Sequence, residues 1–149
     1  IVVEALKNEL SKLGDKNIVI EGYPRNIEQA KLLDTIFKNY IVINLYVDRE
    51  IAMKRTLGRR NCDKCHKIYN VYFEETMPKN EGICDICKEP LTNRTDDNEK
   101  SFNVRFDVYE QNAPAILKYY EDKSILYRVN SGLSADYTNK EVEKIIKEG

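Results

Sequence analysis

Residues 61–97, NCDKCHKIYNVYFEETMPKNEGICDICKEPLTNRTDD, hold all four cysteines of a 149-residue chain as two C-x2-C pairs, Cys62/Cys65 and Cys84/Cys87. This stretch is either a metal ribbon in its own right or a braced insertion in a larger fold. Paired C-x2-C knuckles suit tetrahedral thiolate ligation of zinc. Disulfides would need an oxidising compartment, and the sequence shows no secretory signal pattern. Four thiolates leave no coordination position open, so the expected zinc is structural, and His66, the sole histidine, is not needed as a fifth ligand. Residues 58–95 carry few bulky apolar side chains. A module that small needs a staple, and zinc would supply its folding energy directly.

Outward from the cysteines, the flanks read as alternating helices and strands. Ile1–Leu13 has helical patterning closed by Gly14, and Asn17–Gly22 is a short apolar run expected to be a buried strand. Asn26 can cap a helix whose apolar residues Ile27, Ala30, Leu33 and Phe37 recur at helical spacing. Tyr40–Val47 is β-branched and nearly continuous, as a parallel strand covered on both faces would be. Asp48 is expected to cap a helix to about Leu57. Beyond the cysteines, Asp96 and Glu99 have the spacing of a capping box before a helix with Phe102, Phe106, Tyr109 and Ala113 on one face. Pro114 suits the first turn of a further helical segment to about Asp122. Ile125–Val129 reads as another strand, and Thr138/Glu141 as a second capping box before Val142, Ile145 and Ile146.

The pattern predicts an α/β fold, a parallel sheet with flanking helices, interrupted by a small zinc-stapled insertion. The expected division is core 1–57, insertion 58–95 and core 96–149. The chain starts at Ile1 directly in helical sequence, which reads as a chain whose upstream part is missing. Charge is high at 33% but balanced, with a net charge of -1. That gives no overall pull toward nucleic acid or an anionic membrane. No apolar run approaches the roughly 20 residues a bilayer span needs. A cytoplasmic protein without membrane or nucleic-acid partners is expected.

Arginine placement is uneven. Arg55, Arg59 and Arg60 precede the first cysteine, Arg94 follows the last, Arg105 lies one helix segment on, and Arg25 sits in a loop after the expected first strand. Arg55 and Arg59 share a helix face if the helix continues. Planar, permanently charged donors gathered at strand ends and around an insertion suit a polyphosphate. Taken singly, each could equally be a solvated surface residue.

Here the sequence resembles a known family. EGYPRNIEQAKLLD (21–34) looks like the strand-loop-helix signature of adenylate kinases, usually DGFPRT followed by a glutamine. RTLGRRNCDKC, then CDICKEPLTNRTDDNEKSFNVRFDVYEQNAPAILKYY, looks like that family's zinc-bearing lid and the helix after it. The likeness spans essentially the whole chain in matching order and spacing.

The resemblance implies a P-loop nucleoside monophosphate kinase-like fold without its first strand. It also implies ATP, AMP and ADP as small-molecule partners, Mg with ATP, and a monomer when full length. It places Gly22, Tyr23, Pro24 and Arg25 in the AMP loop, with Arg25 on the AMP phosphate and Gln29 reading the adenine. A glutamine offers one donor and one acceptor to an adenine edge. It places Arg55 against the ATP base, Arg59 on the ATP phosphates, Ile68 and Tyr69 against ATP from inside the lid, and Gly132 near the ATP adenine. Arg94 and Arg105 would bridge the phosphates of both nucleotides, with Asp96 and Asp97 beside them. Arg25, Arg59, Arg94 and Arg105 would then be the catalytic set, and Cys62, Cys65, Cys84 and Cys87 the structural zinc ligands.

The chain departs from the family in four respects. Its six glycines form no G-x-x-G-x-G-K phosphate loop, so these residues alone are expected to be inactive. Glu21 replaces an aspartate near the magnesium, moving the carboxylate by about 1 Å. Tyr23 replaces phenylalanine, and the Cys65–Cys84 interval is slightly long. Three rival readings remain: a zinc-ribbon nucleic-acid module, opposed by Glu74, Glu75 and Glu81 between the knuckles; a kinase with UMP or CMP as acceptor or GTP as donor; and a non-catalytic nucleotide-binding relative.

Overall fold

The computed structural model describes residues 2–13 and 17–148. In chain order the elements are α1 (Val2–Leu13), α2 (Ile27–Ile36), β1 (Val42–Tyr46), α3 (Arg49–Leu57), β2 (Arg59–Asn61), β3 (Ile68–Asn70), α4 (Glu99–Asp122), β4 (Leu126–Asn130) and α5 (Ala135–Glu148). The fold is α/β, with β1 and β4 side by side. Val42 N–H donates to Ile125 O and Ser131 N–H to Tyr46 O, so the two strands advance in the same sense and the sheet is parallel. The chain forms two compact units, Ile1–Val42 with Asn112–Leu126, and Ile43–Gln111 with Tyr127–Gly149.

In the first unit, Asn26 caps α2 as expected, its side chain accepting from Gln29 N–H at 2.9 Å. Ala30 and Leu33 on α2 and Ala113 and Tyr120 on α4 are buried. Tyr40 meets the Tyr120 ring edge-on, with centroids 6.1 Å apart. The Asp34 carboxylate accepts hydrogen bonds from the Tyr40 and Tyr119 hydroxyls and an ion pair from Lys123. Burial alone would raise its pKa; the bonds from Lys123, Tyr119 and Tyr40 outweigh that and hold it down at about 2.

In the second unit, Phe102, Phe106 and Tyr109 form the expected aromatic ladder on α4, with successive centroids 5.3 and 5.9 Å apart. Arg49 lies over the Phe106 ring and bonds Asn103, Asp107 and Glu110, fastening the start of α3 to α4. β2 and β3 form an antiparallel hairpin in the register Arg59↔Asn70, Arg60↔Tyr69, Asn61↔Ile68.

Four local expectations are corrected. Residues 17–21 form no strand; among the described residues nothing pairs with them, and Val19 is 91% exposed, so the apolar run has no ladder to join. The box at Asp96/Glu99 does not form. Asn98 caps α4 instead, accepting from Ser101 N–H at 2.9 Å, because both neighbouring aspartates are held by arginines. Pro114 starts no new segment and lies inside one continuous 24-residue helix, which tolerates one lost backbone bond because its flanking turns remain bonded. Thr138 lies inside α5; Ser134 Oγ accepts from Tyr137 N–H and starts that helix a turn earlier. Asp48 precedes α3 as expected but makes no side-chain cap bond. The closure of α1 at Gly14 lies outside the described residues, and among those residues no helix is long and apolar enough to cross a membrane.

Candidate functional site

The four cysteines converge. Their sulfurs all lie within 4.8 Å of one another, with Cys62–Cys87 at 3.2 Å and Cys65–Cys84 at 3.5 Å. A tetrahedron of 2.3 Å Zn–S bonds has edges of about 3.8 Å, so the donor set fits zinc with little adjustment. Each C-x2-C pair closes in the same way. His66 N–H donates to Cys62 O and Lys88 N–H to Cys84 O, while Cys62 and Cys84 N–H reach Lys67 O and Glu89 O. The turn demands a left-handed residue after the second cysteine of each pair, supplied by His66 (φ 59) and Lys88 (φ 62). His66 is exposed and stands outside the sulfur cluster.

The surroundings shift the four thiols in opposite directions, Cys62 and Cys84 down and Cys65 and Cys87 up. The Cys84 thiol is pushed down to about 6, first by the Cys87 N–H and then by the Tyr69 hydroxyl. Cys87 is pushed up to about 12, chiefly by its hydrogen bond with the Cys62 thiol and then by burial. Tyr69 is 3% exposed, packed among Cys62 and Cys84, with its hydroxyl against Cys84 Sγ and accepting from Asp85 N–H. Its side chain therefore belongs to the brace, and its backbone pairs with Arg60 in the hairpin. Neighbouring Ile68 is 54% exposed.

At the root of this flap the arginines are ordered by acids. Arg59 grips Asp97 with two bonds, Nε–Oδ2 at 2.7 Å and Nη2–Oδ1 at 2.5 Å. The Asp97 side chain is 1% exposed while that of Arg59 keeps 27%, so the guanidinium retains donors for another partner. The hydrogen bond from Arg59 leads the downward shift of the Asp97 pKa and, in return, the upward shift of its own. Arg105 is held by Asp96, through the carboxylate at 3.0 Å and the carbonyl at 3.2 Å. Arg59 and Arg105 both line one cavity of about 330 Å³, together with Leu45, Val47, Phe102 and Phe106. A volume near 300 Å³ is the lower range for a small-molecule site.

Arg55 donates to Ser131 O at 2.6 Å, which brings it beside Gly132 in the turn after β4. That turn is closed by Asn130, whose side chain accepts from Gly132 N–H at 2.8 Å. Arg94 is exposed, and its carbonyl accepts from Asp97 N–H at 3.1 Å in the turn that presents the two aspartates.

Gly22, Tyr23, Pro24, Arg25 and Gln29 form a separate cluster in the first unit. Gly22 has φ 73, and the Tyr23–Pro24 peptide is cis. Arg25 Nε donates to Gly22 O and its N–H to Gln29 Oε1, both at 2.7 Å. The loop thus presents an exposed guanidinium beside an amide whose NH2 remains available. The Tyr23 hydroxyl is buried with no hydrogen-bond partner among the described residues.

A flap whose four converging cysteines fit a metal ion, rooted in acid-held arginines and carried on an α/β core, has the chemistry of proteins that take phosphate-bearing ligands. The family model for adenylate kinase matches residues 1–125. The chain is 36% identical over 148 residues to a protein named adenylate kinase from Borrelia turicatae (strain 91E135), covering 98% of this chain and 69% of that one. It is 37% identical over 150 residues to an adenylate kinase from Rickettsia akari (strain Hartford), covering 99% and 70%. The chain belongs to the adenylate kinase family, a family of phosphotransferases.

Sequence reading did not single out Asn70, Asn130 or Ser131. Asn130 stands two residues before a glycine, a turn signal that was available. Asn70 gave none, since its partners lie 15 and 16 residues back in the chain.

Proposed function

We propose that these 149 residues form the lid (58–95) and adjoining core of an adenylate kinase that interconverts ATP plus AMP with two ADP. The observation that carries the reading is the cavity shared by Arg59 and Arg105, each oriented by its own aspartate. Phosphoryl transfer asks little bond chemistry of side chains; alignment and charge stabilisation do most of the catalysis. Arg59 would hold donor phosphates with the donors Asp97 leaves free. Arg105 and Arg94 would bridge the two nucleotides, and Arg25 would hold the AMP phosphate beside Gln29. Arg55 and Gly132 would border the donor base, with Ile68 and Tyr69 covering it from the lid. Closure of the lid over the ligand would exclude water and favour transfer over hydrolysis. Bound zinc would supply rigidity alone, and Mg carried with ATP would neutralise charge between the phosphates. We place this activity in the cytoplasm, in a monomer.

The 149 residues hold no G-x-x-G-x-G-K loop, and so lack the lysine and amide donors that loop provides. The zinc-loaded chain assayed alone for coupled ADP formation is expected to show no turnover; robust turnover would refute the fragment reading. Titration with ATP, GTP, AMP and UMP, followed by amide chemical shifts, is expected to favour adenine nucleotides. The ATP response should be lost in Arg59→Ala, and a preference for UMP or GTP would move the specificity within the same kinase class.

A further inference from the structure

Gly58 stands where α3 meets the lid, and a glycine between a helix and a swinging flap invites reading as a hinge. Its surroundings oppose that. Gly58 is buried and has ordinary right-handed helical dihedrals, φ -79 and ψ -10, so no conformational freedom is being used. It is glycine for lack of space. A Cβ there would lie 2.2 Å from Asn70 Oδ1, 2.5 Å from the Tyr72 ring and 2.8 Å from Lys54 O.

What fills that space is Asn70, on β3 and only 9% exposed. Its Nδ2 donates to Arg55 O at 3.0 Å and Lys54 O at 3.3 Å, and its Oδ1 accepts from Tyr72 N–H at 3.0 Å. The last carbonyls of a helix have no partner within the helix. Here a side chain from the flap meets Arg55 O and shares Lys54 O with the Gly58 N–H that donates to it at 2.9 Å, and Arg60 donates to Leu57 O at 3.0 Å. Val71 N–H then donates to Gly58 O at 3.0 Å, tying the same hairpin to the junction residue itself.

We infer that Asn70 is a positioning residue that welds the β2–β3 hairpin to the last turn of α3. Gly58 is therefore a locked joint, and Arg55 and Arg59, one on each side of it, move as one body. The inference deepens the proposed function, in which those two arginines meet the donor nucleotide, but the weld can be read with no nucleotide present.

The test is amide hydrogen exchange by NMR on the zinc-loaded chain, comparing wild type with Asn70→Ala and Asn70→Asp. Asp keeps the size and the acceptor for Tyr72 N–H but loses both donors to the helix carbonyls. In Asn70→Ala, exchange at Gly58, Val71 and Tyr72 should accelerate at least about tenfold, the loss of a hydrogen bond or two. In Asn70→Asp, Gly58 and Val71 should accelerate while Tyr72 stays protected. In both variants the knuckle amides of His66 and Lys88 should keep their rates and zinc stoichiometry should be unchanged. Unchanged exchange at Gly58 in the Asp variant would overturn the weld. So would uniform acceleration across the lid, which is what a merely structural asparagine predicts. If the Ala variant does not fold, the Asp variant still decides. Absence of any ATP-induced shift at Arg55 or Arg59 in wild type would count against the proposed function and leave the exchange result standing.

Discussion

Removing the metal should unfold the lid and spare the rest of the chain. The cysteine-bearing segment has a cluster core of Cys62, Tyr69 and Cys84, with Cys65, Cys87 and Leu91 packed against it. Tyr69 and Leu91 are its only sizeable apolar members; burying them contributes about 3–6 kcal/mol in total. A structural zinc contributes about 10–16 kcal/mol. The metal term is therefore about two to five times the apolar one, and the segment cannot keep its form without it. The assay is a chelator titration followed by amide NMR and a thermal scan. Resonances from Cys62 to Thr92 should collapse toward random-coil positions, those of β1 and β4 should stay dispersed, and zinc should restore the first set. Cobalt substituted for zinc should show the visible bands of a tetrahedral thiolate site. Because each ligand sulfur must lose its proton, affinity should weaken as pH falls. A chelated protein with unchanged shifts and exchange rates across Cys62–Leu91 would refute the reasoning, since packing alone would then hold the lid.

Two further perturbations address the first unit. The Asp34 pKa is lowered from 3.8 to about 2, so its stabilising effect is fully present above pH 4 and is lost as pH falls from about 4 through about 2. Allowing for solvent screening of a side chain 23% exposed, the difference between wild type and Asp34→Asn should be about 1–2 kcal/mol at pH 7. Urea unfolding across that range measures it, and a gap that does not shrink on acidification would contradict the assignment. Tyr23→Phe removes a buried hydroxyl that has no partner among the described residues, and should raise stability by about 1 kcal/mol in the same assay. A loss of that size would show instead that the hydroxyl is satisfied.

What was legible in the sequence is what local spacing encodes. The two C-x2-C pairs located the metal centre because ligand geometry is local to each knuckle. The recurrence of Phe102, Phe106 and Tyr109 located the aromatic face of α4, and Asn26 announced the start of α2. Asn17–Gly22 was misread because an apolar run becomes a strand only beside a partner, and composition carries no information about partners. Asn70 was invisible for the same reason: its work is done on carbonyls of a different element.

The capping box expected at Asp96 and Glu99 says the most about function, since the family resemblance sets Asp96 and Asp97 beside arginines. Three adjacent residues, Asp96, Asp97 and Asn98, all offer a side-chain oxygen to the first turn of α4, and local rules rank them nearly equal. The structure gives the cap to the neutral one and spends both charges on arginines, Asp97 on Arg59 and Asp96 on Arg105. An isolated helix would gain from a carboxylate at its N-terminus. Here Glu99 keeps a carboxylate in the first turn, while Asp96 and Asp97 are turned to two guanidiniums that line a shared cavity. Local rules yield where a site requires it. The acidic pair is therefore better read as the holder of the arginines than as a helix start, and that assignment depends on side chains 38 and 9 residues away.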